Sequence, residues 1–212
     1  MITKAELVQN TDADLIWRRR EMTSFRAVVQ DSDADQGRRP ALLRAGIALL
    51  YAHWEGYVKR CGTWYLQFVA NQRRKASELR TNFLAIKLKA HLAEASKSKK
   101  ASACAELIEF FSSKLGDRLR IPYKGIVDTK ANLSSTVLRD IVWTLGLEMA
   151  PYETKCHFID TSLVERRNRI AHGDGLDITV VDYLAIHGEV MTLLDTFRNQ
   201  IQNAALTDGF IR

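Results

Sequence analysis

PALLRAGIALLYAHWEGYVKRCGTWYLQF, running from Pro40 to Phe68, is the stretch whose spacing decides the fold. Leu43, Ile47, Leu50, Trp54, Tyr57, Cys61, Trp64 and Phe68 recur three or four residues apart, which draws one apolar stripe along a helix. Pro40 suits the first turn, where its missing amide hydrogen would have had no partner. The spacing therefore predicts a central helix whose apolar face is core rather than a cofactor box. Tyr51, Glu55 and Lys59 form a second line on its flank, and Glu55 with Lys59 would by themselves be an ordinary surface pair. His53, beside the stripe, reads as a boundary residue.

Upstream, Thr3-Lys4-Ala5-Glu6 is a capping box, and Val8, Leu15, Met22 and Val29 follow at heptad spacing with Phe25 between. This predicts a first helix to about Gln30, with Asp12 to Asp14 as the place where a break would fall. Trp17 precedes Arg18, Arg19 and Arg20, which read as a solvated face in preference to a phosphate contact. Asp31 to Arg39 is a charged linker containing Gly37.

Downstream, Asn71 to Lys75 is a basic turn, and Ser77 is expected to begin a third helix carrying Phe83, Leu84, Ile86, Leu88 and Leu92. Ala95 to Ser102, with Lys97, Lys99 and Lys100, reads as a basic connector. A short helix over Cys104 to Leu115 is expected to stop at Gly116, and Asp117 to Thr129, with Pro122 and Gly125, reads as irregular. Ser135 to Leu145 is amphipathic through Leu138, Ile141, Val142 and Leu145, and Gly146 ends it. Thr179-Val180-Val181-Asp182 opens a last helix striped by Tyr183, Ile186, Val190, Leu194, Phe197 and Ile201. His187, one turn past Tyr183, reads as structural.

These elements make an all-α chain of 212 residues, 46% hydrophobic with three prolines, enough for one well-buried core. No apolar run reaches membrane-spanning length, and Met1 to Glu6 carries no apolar signal segment, so the expectation is a cytoplasmic protein without membrane contact. Cys61, Cys104 and Cys156 are odd in number and far apart, which predicts buried reduced thiols and no paired-cysteine metal motif. Cys156-His157 is too sparse for a metal site. A net charge of +6 permits a polyanionic partner without requiring one. No internal repeat and no Gly-rich phosphate loop is present, which removes kinase and nucleotide-dehydrogenase chemistry.

The chemically capable side chains concentrate in SLVERRNRIAHGDG, Ser162 to Gly175. Ser162 and Glu165 have capping-box spacing, which predicts a helix start, and Gly173 and Gly175 predict its stop. Leu163 and Ile170 fall on one side; Asn168 and His172, one turn apart, fall on the other with Glu165 and Arg169 beside them. Arg167, five residues before His172, stands about 140° round an ideal helix. Either the helix loosens at its glycine end, or the arginine meets the histidine of a second copy. Taken without any relative, a histidine before glycine also serves as a simple helix-ending cap, favoured by the helix dipole by about 0.3–1 kcal/mol.

Arg167-Asn168-Arg169-Ile170-Ala171-His172 resembles the Arg, polar residue, spacer, His signature of HEPN-domain ribonucleases, as do the flanking Leu163 to Arg166 and Gly173. Tyr51-Ala52-His53-Trp54-Glu55-Gly56 resembles the helix-two motif of the MAE_28990/MAE_18760-like HEPN branch. The resemblance covers nearly the whole chain. It implies a four-helix up-and-down bundle with extra helices inserted between core helices two and three: a single domain over 1–212, core about 3–72 and 159–206, insertion about 97–146. It also implies a metal-independent endoribonuclease without cofactor, because the 2′-hydroxyl of RNA supplies the nucleophile. Proton transfer then falls to His172, phosphate positioning and charge stabilisation to Arg167, and orientation to Asn168. Glu55, Tyr51, Lys59 and Arg169 would support the site. The expected ends are a 2′,3′-cyclic phosphate and a 5′-hydroxyl. The implied partners are RNA, a second copy paired through the motif-bearing helices, and in a toxin or host-defence setting an antitoxin protein. The alternative is an inactive HEPN-like module that binds RNA or a protein partner.

Overall fold

Thr3 opens the first helix by a reciprocal cap: its hydroxyl accepts from the Glu6 amide at 3.2 Å, and Glu6 Oε2 accepts from the Thr3 amide at 2.8 Å. Helix α1 (Lys4–Asp31) then runs unbroken past Asp12 to Asp14. The computed structural model describes residues 2–31, 37–96, 102, 105, 108–109 and 116–212. Most of the predicted linker, Lys97, Lys99 and Lys100, and most of the helix expected over Cys104 to Leu115 lie outside these.

Helix α2 (Arg39–Asn71) carries the predicted stripe, buried throughout except at Trp64, which is partly covered. Helix α3 (Thr81–Ala95) and helix α4 (Ser135–Leu145) follow, then the one-turn α5 (Ala150–Glu153). A π-helical segment, Phe158–Glu165, leads directly into α6 (Arg166–Ala171), and α7 (Val180–Leu206) closes the chain. Helices α1, α2 and α7 pack against one another, and α6 with its π-helical lead lies against α2 to complete an up-and-down four-helix bundle. The remaining helices stand between α2 and α6 in sequence.

The long helices meet through large side chains. Phe197 of α7 takes the edges of Trp54 and Tyr57 at centroid distances of 6.2 and 6.4 Å. Burying each such side chain contributes about 1.5–3 kcal/mol. A Cβ at Gly46 would stand 2.5 Å from the Tyr183 ring and 2.9 Å from that of Phe25, so α1, α2 and α7 converge where only glycine fits. Among the described residues no helix is long and apolar enough to cross a membrane.

Several expectations change. Arg18 is 4% exposed, not solvated. Its Nε donates to Asp14 at 2.7 Å, its Nη1 donates to the His53 carbonyl at 3.2 Å, and Arg60 joins the same carboxylate at 2.6 Å. Gly56 opens the space, since a Cβ there would come within 3.1 Å of the guanidinium. Arg19 is tied to Asp195 of α7. His53 is buried beneath this network rather than at a boundary. The third helix starts at Thr81, not Ser77, because the chain from Lys75 to Leu79 is held by bridges to Arg118 and Ile211, with a single 3₁₀ turn at Ala76–Glu78. Leu92 is half exposed instead of core. Cys61 is buried as expected and burial pushes its thiol up; Cys156 is only partly covered, and Cys104 lies outside the described residues.

Candidate active site

Helix α6 does not begin at Ser162. The backbone is already helical at His157 (φ −59°, ψ −44°), so Ser162 and Glu165 sit inside π-helical turns and cannot form the predicted cap, which needs a residue outside the helix. Asp160 of the π segment instead accepts from the Ser135 amide at 2.7 Å and its hydroxyl at 2.6 Å, tying this helix to the start of α4. Each π turn adds a residue to the helical repeat and so resets the face on which the following side chains emerge. Leu163 and Val164 are buried and Ile170 packs on the core, which turns Arg167 and Asn168 toward α2 and the loop before α4.

Arg167 lands on the helix-two motif. Its Cζ lies 4.2 Å from the centroid of the Tyr51 ring, and its Nη2 stands 3.8 Å from Glu55 Oε2. The same Nη2 donates to the Ala131 carbonyl at 2.6 Å, and Nη1 donates to Asn168 Oδ1 at 2.8 Å. Among the described residues neither Nε nor the second hydrogen of Nη1 has a hydrogen-bond partner, which leaves them for a ligand oxygen. Glu55 Oε1 accepts from the Thr129 hydroxyl at 2.6 Å, and the Tyr51 hydroxyl accepts from the Leu133 amide at 2.7 Å. Burial raises the Tyr51 phenol above its ordinary pKa, against the pull of the Leu133 amide, so the hydroxyl stays neutral.

The loop 128–133 is thus part of the site, a contribution its sequence did not announce. Lys130 (φ 56°) and Ala131 (φ 51°) are consecutive left-handed residues with side chains, a conformation that costs about 1–2 kcal/mol each. The Lys130 amide donates to Asp128, the Asn132 amide donates to the Thr129 carbonyl, and Arg167 holds the Ala131 carbonyl that this turn aims at it. Asn132 Oδ1 accepts from Asn168 Nδ2 at 3.3 Å.

HEPN_MAE_28990/-like HEPN is the family model that matches the chain, over residues 7–210. The chain belongs to the HEPN family. No curated protein and no solved structure matches it. The two stretches that carried the HEPN resemblance are in contact in space, through Tyr51, Glu55 and Arg167.

The other named positions separate from this cluster. His172 caps the motif helix: its amide donates to the Asn168 carbonyl at 3.0 Å, and Gly173 follows in a left-handed conformation (φ 85°). Its side chain is exposed, and among the described residues the ring has no hydrogen-bond or ion-pair partner. The helix therefore keeps its α-helical hydrogen bond to the end, and among the described residues no contact joins Arg167 to His172 within one chain. Arg169 pairs outward with Asp174 at 3.3 Å. Lys59 is exposed on the flank of α2 below Glu55.

Proposed function

We propose that this HEPN protein is an endoribonuclease that needs no metal, attacking phosphorus with the substrate's own 2′-hydroxyl. Arg167, held by Tyr51 and Glu55 with donors to spare, takes the non-bridging oxygens and offsets the charge that builds there. His172 moves the proton, and Asn168 fixes the arginine's plane by accepting from Nη1. The leaving 5′-oxygen gains a proton, and the products are a 2′,3′-cyclic phosphate and a 5′-hydroxyl.

The observation that carries this reading is the seating of Arg167 on the helix-two motif while the imidazole of His172 projects into solvent at an intact helix end. A second copy, related by a twofold axis along the motif-bearing helices, would bring its own histidine to this arginine. The working form is therefore a homodimer with composite sites. A toxin or host-defence role in the cytoplasm, with an antitoxin in some settings, is the context we infer.

The test is cleavage of total RNA in the presence of a chelator, with end-group analysis. Wild type should leave cyclic phosphate ends, and Arg167→Ala and His172→Ala should stay folded and silent. Wild-type cleavage by His172→Ala would remove the mechanism. A second reading, a helical module that binds without cutting, draws on the engagement of Arg167 with Ala131 and Asn168; RNA affinity without cleavage under any condition would favour it.

A further inference from the structure

The basic turn after α2 carries charge that no described carboxylate pairs with and that the cleavage site does not use. Arg73, Arg74, Lys75 and Arg118 line one depression of about 280 Å³ with Gln72, and among the described residues Glu78 is the only carboxylate in its wall. Glu78 is spent locally, accepting from the Lys75 amide at 2.9 Å. Among the described residues none of the four cations has an ion-pair partner, whereas Arg18, Arg60, Arg139, Lys155 and Arg169 all do.

The convergence is built by the backbone rather than by chance orientation of long side chains. Lys75 and Arg118 form an antiparallel bridge, the Leu119 amide donates to the Arg74 carbonyl at 2.9 Å, and the Ala76 amide donates to the Asp117 carbonyl at 3.0 Å. Holding like charges together disfavours the folded state unless an anion joins them.

A second cavity, about 480 Å³, has a wall tied to that of the first, since the Arg212 amide donates to the Glu78 carbonyl at 3.0 Å. Its wall includes Arg80, Arg212 and Trp143. Trp143 is 56% exposed on α4, an indole face open for stacking. Helix α4, which carries Trp143, and the loop before it dock on α2 at Gly62 through Leu145 and Val127, two turns from Glu55 on the same flank.

We propose that this end of the bundle is an anchoring groove for single-stranded RNA, separate from the cleavage site. Arg73, Arg74, Lys75 and Arg118 take backbone phosphates, and Trp143 stacks on a base in the adjoining cavity. The inference rests on RNA being the substrate. From Glu55 to Asn71 the helix axis runs ~24 Å at 1.5 Å per residue. That is the reach of about seven stacked nucleotides at 3.4 Å each. Oligonucleotides shorter than this cannot occupy both sites at once.

The test compares a 20-nucleotide and a five-nucleotide single strand on the full chain carrying His172→Ala, with and without Arg73→Gln/Arg74→Gln/Arg118→Gln. The triple variant should bind the long strand at least ~10-fold more weakly, and its salt dependence should flatten by about 2 in log–log slope, near 0.7 for each of three contacts. The short strand, which fills only one site at a time, should lose less affinity than the long one, and Arg118→Glu alone should reproduce the loss in part. Trp143→Ala should weaken the long strand ~5-fold or more while leaving inorganic polyphosphate unchanged. Equal affinity and slope with and without the triple substitution would overturn the groove. Unchanged RNA affinity in Trp143→Ala beside tight polyphosphate binding would overturn RNA as its ligand. These readouts do not depend on cutting; failure of the His172-bearing chain to cleave the short strand bears on the cleavage proposal alone.

Discussion

The guanidinium of Arg167 lies on the face of Tyr51, 4.2 Å from the ring centroid, while the hydroxyl of that ring accepts from the Leu133 amide at 2.7 Å. One side chain of α2 thus holds both the motif arginine and the strained loop that completes its setting. Tyr51→Phe keeps the aromatic face but leaves a buried amide unpaired. It should lower stability by about 1–3 kcal/mol in urea unfolding and leave most cleavage intact. Tyr51→Leu should lose cleavage as well, because the ring face is gone.

Glu55 divides its work, one oxygen toward Thr129 and the other toward Arg167. Glu55→Gln keeps an acceptor for the hydroxyl but removes the charge beside the guanidinium. Unfolding should change by less than about 1 kcal/mol, and kcat/KM on an RNA substrate should fall several-fold. Wild-type kinetics in this variant would make Glu55 a purely structural residue.

Asp14 joins Arg18, Arg60 and the Trp17 indole at one buried carboxylate. Asp14→Ala strands Arg18 at 4% exposure without a counter-charge. Equilibrium unfolding should register a loss of about 3–5 kcal/mol. A loss under 1 kcal/mol would mean that Arg18 reaches water when its partner is removed.

His53 and His187 are both buried, and burial is the main cause that lowers each below the ordinary value of 6.5, helped by Arg18 and Arg26 respectively. Glu21 and Asp14 oppose the effect at His53 without reversing it. The unfolded chain takes up these protons more readily than the folded one. Their contribution to stability is therefore complete above about pH 6.5 and is lost as pH falls through the lower folded values. Melting temperature should drop between pH 7 and 5, and His53→Gln/His187→Gln should flatten that profile.

The bundle was legible because burial repeats with the helix. The Pro40 to Phe68 stripe, the Ser135 to Leu145 helix and the Thr179 to Asp182 cap all appear where periodicity and capping chemistry put them. The motif pair was legible only through likeness to HEPN proteins, since five-residue spacing alone gave no reason for Arg167 to meet α2. What could not be read depends on partners distant in the chain. Arg18 is buried because Gly56 makes room for it, and Ser162 fails as a cap because the helix arrives from upstream. The loop at Ala131 escaped notice because its left-handed residues are not glycines and it carries no repeat.

The direct test of the composite site is subunit mixing. Arg167→Ala and His172→Ala proteins, each silent alone, are mixed, allowed to exchange, and assayed on RNA with a chelator present. If the arginine of one protomer works with the histidine of the other, random pairing restores roughly a quarter of wild-type activity, one good site in each mixed dimer. A mixture as silent as its parents would contradict the account.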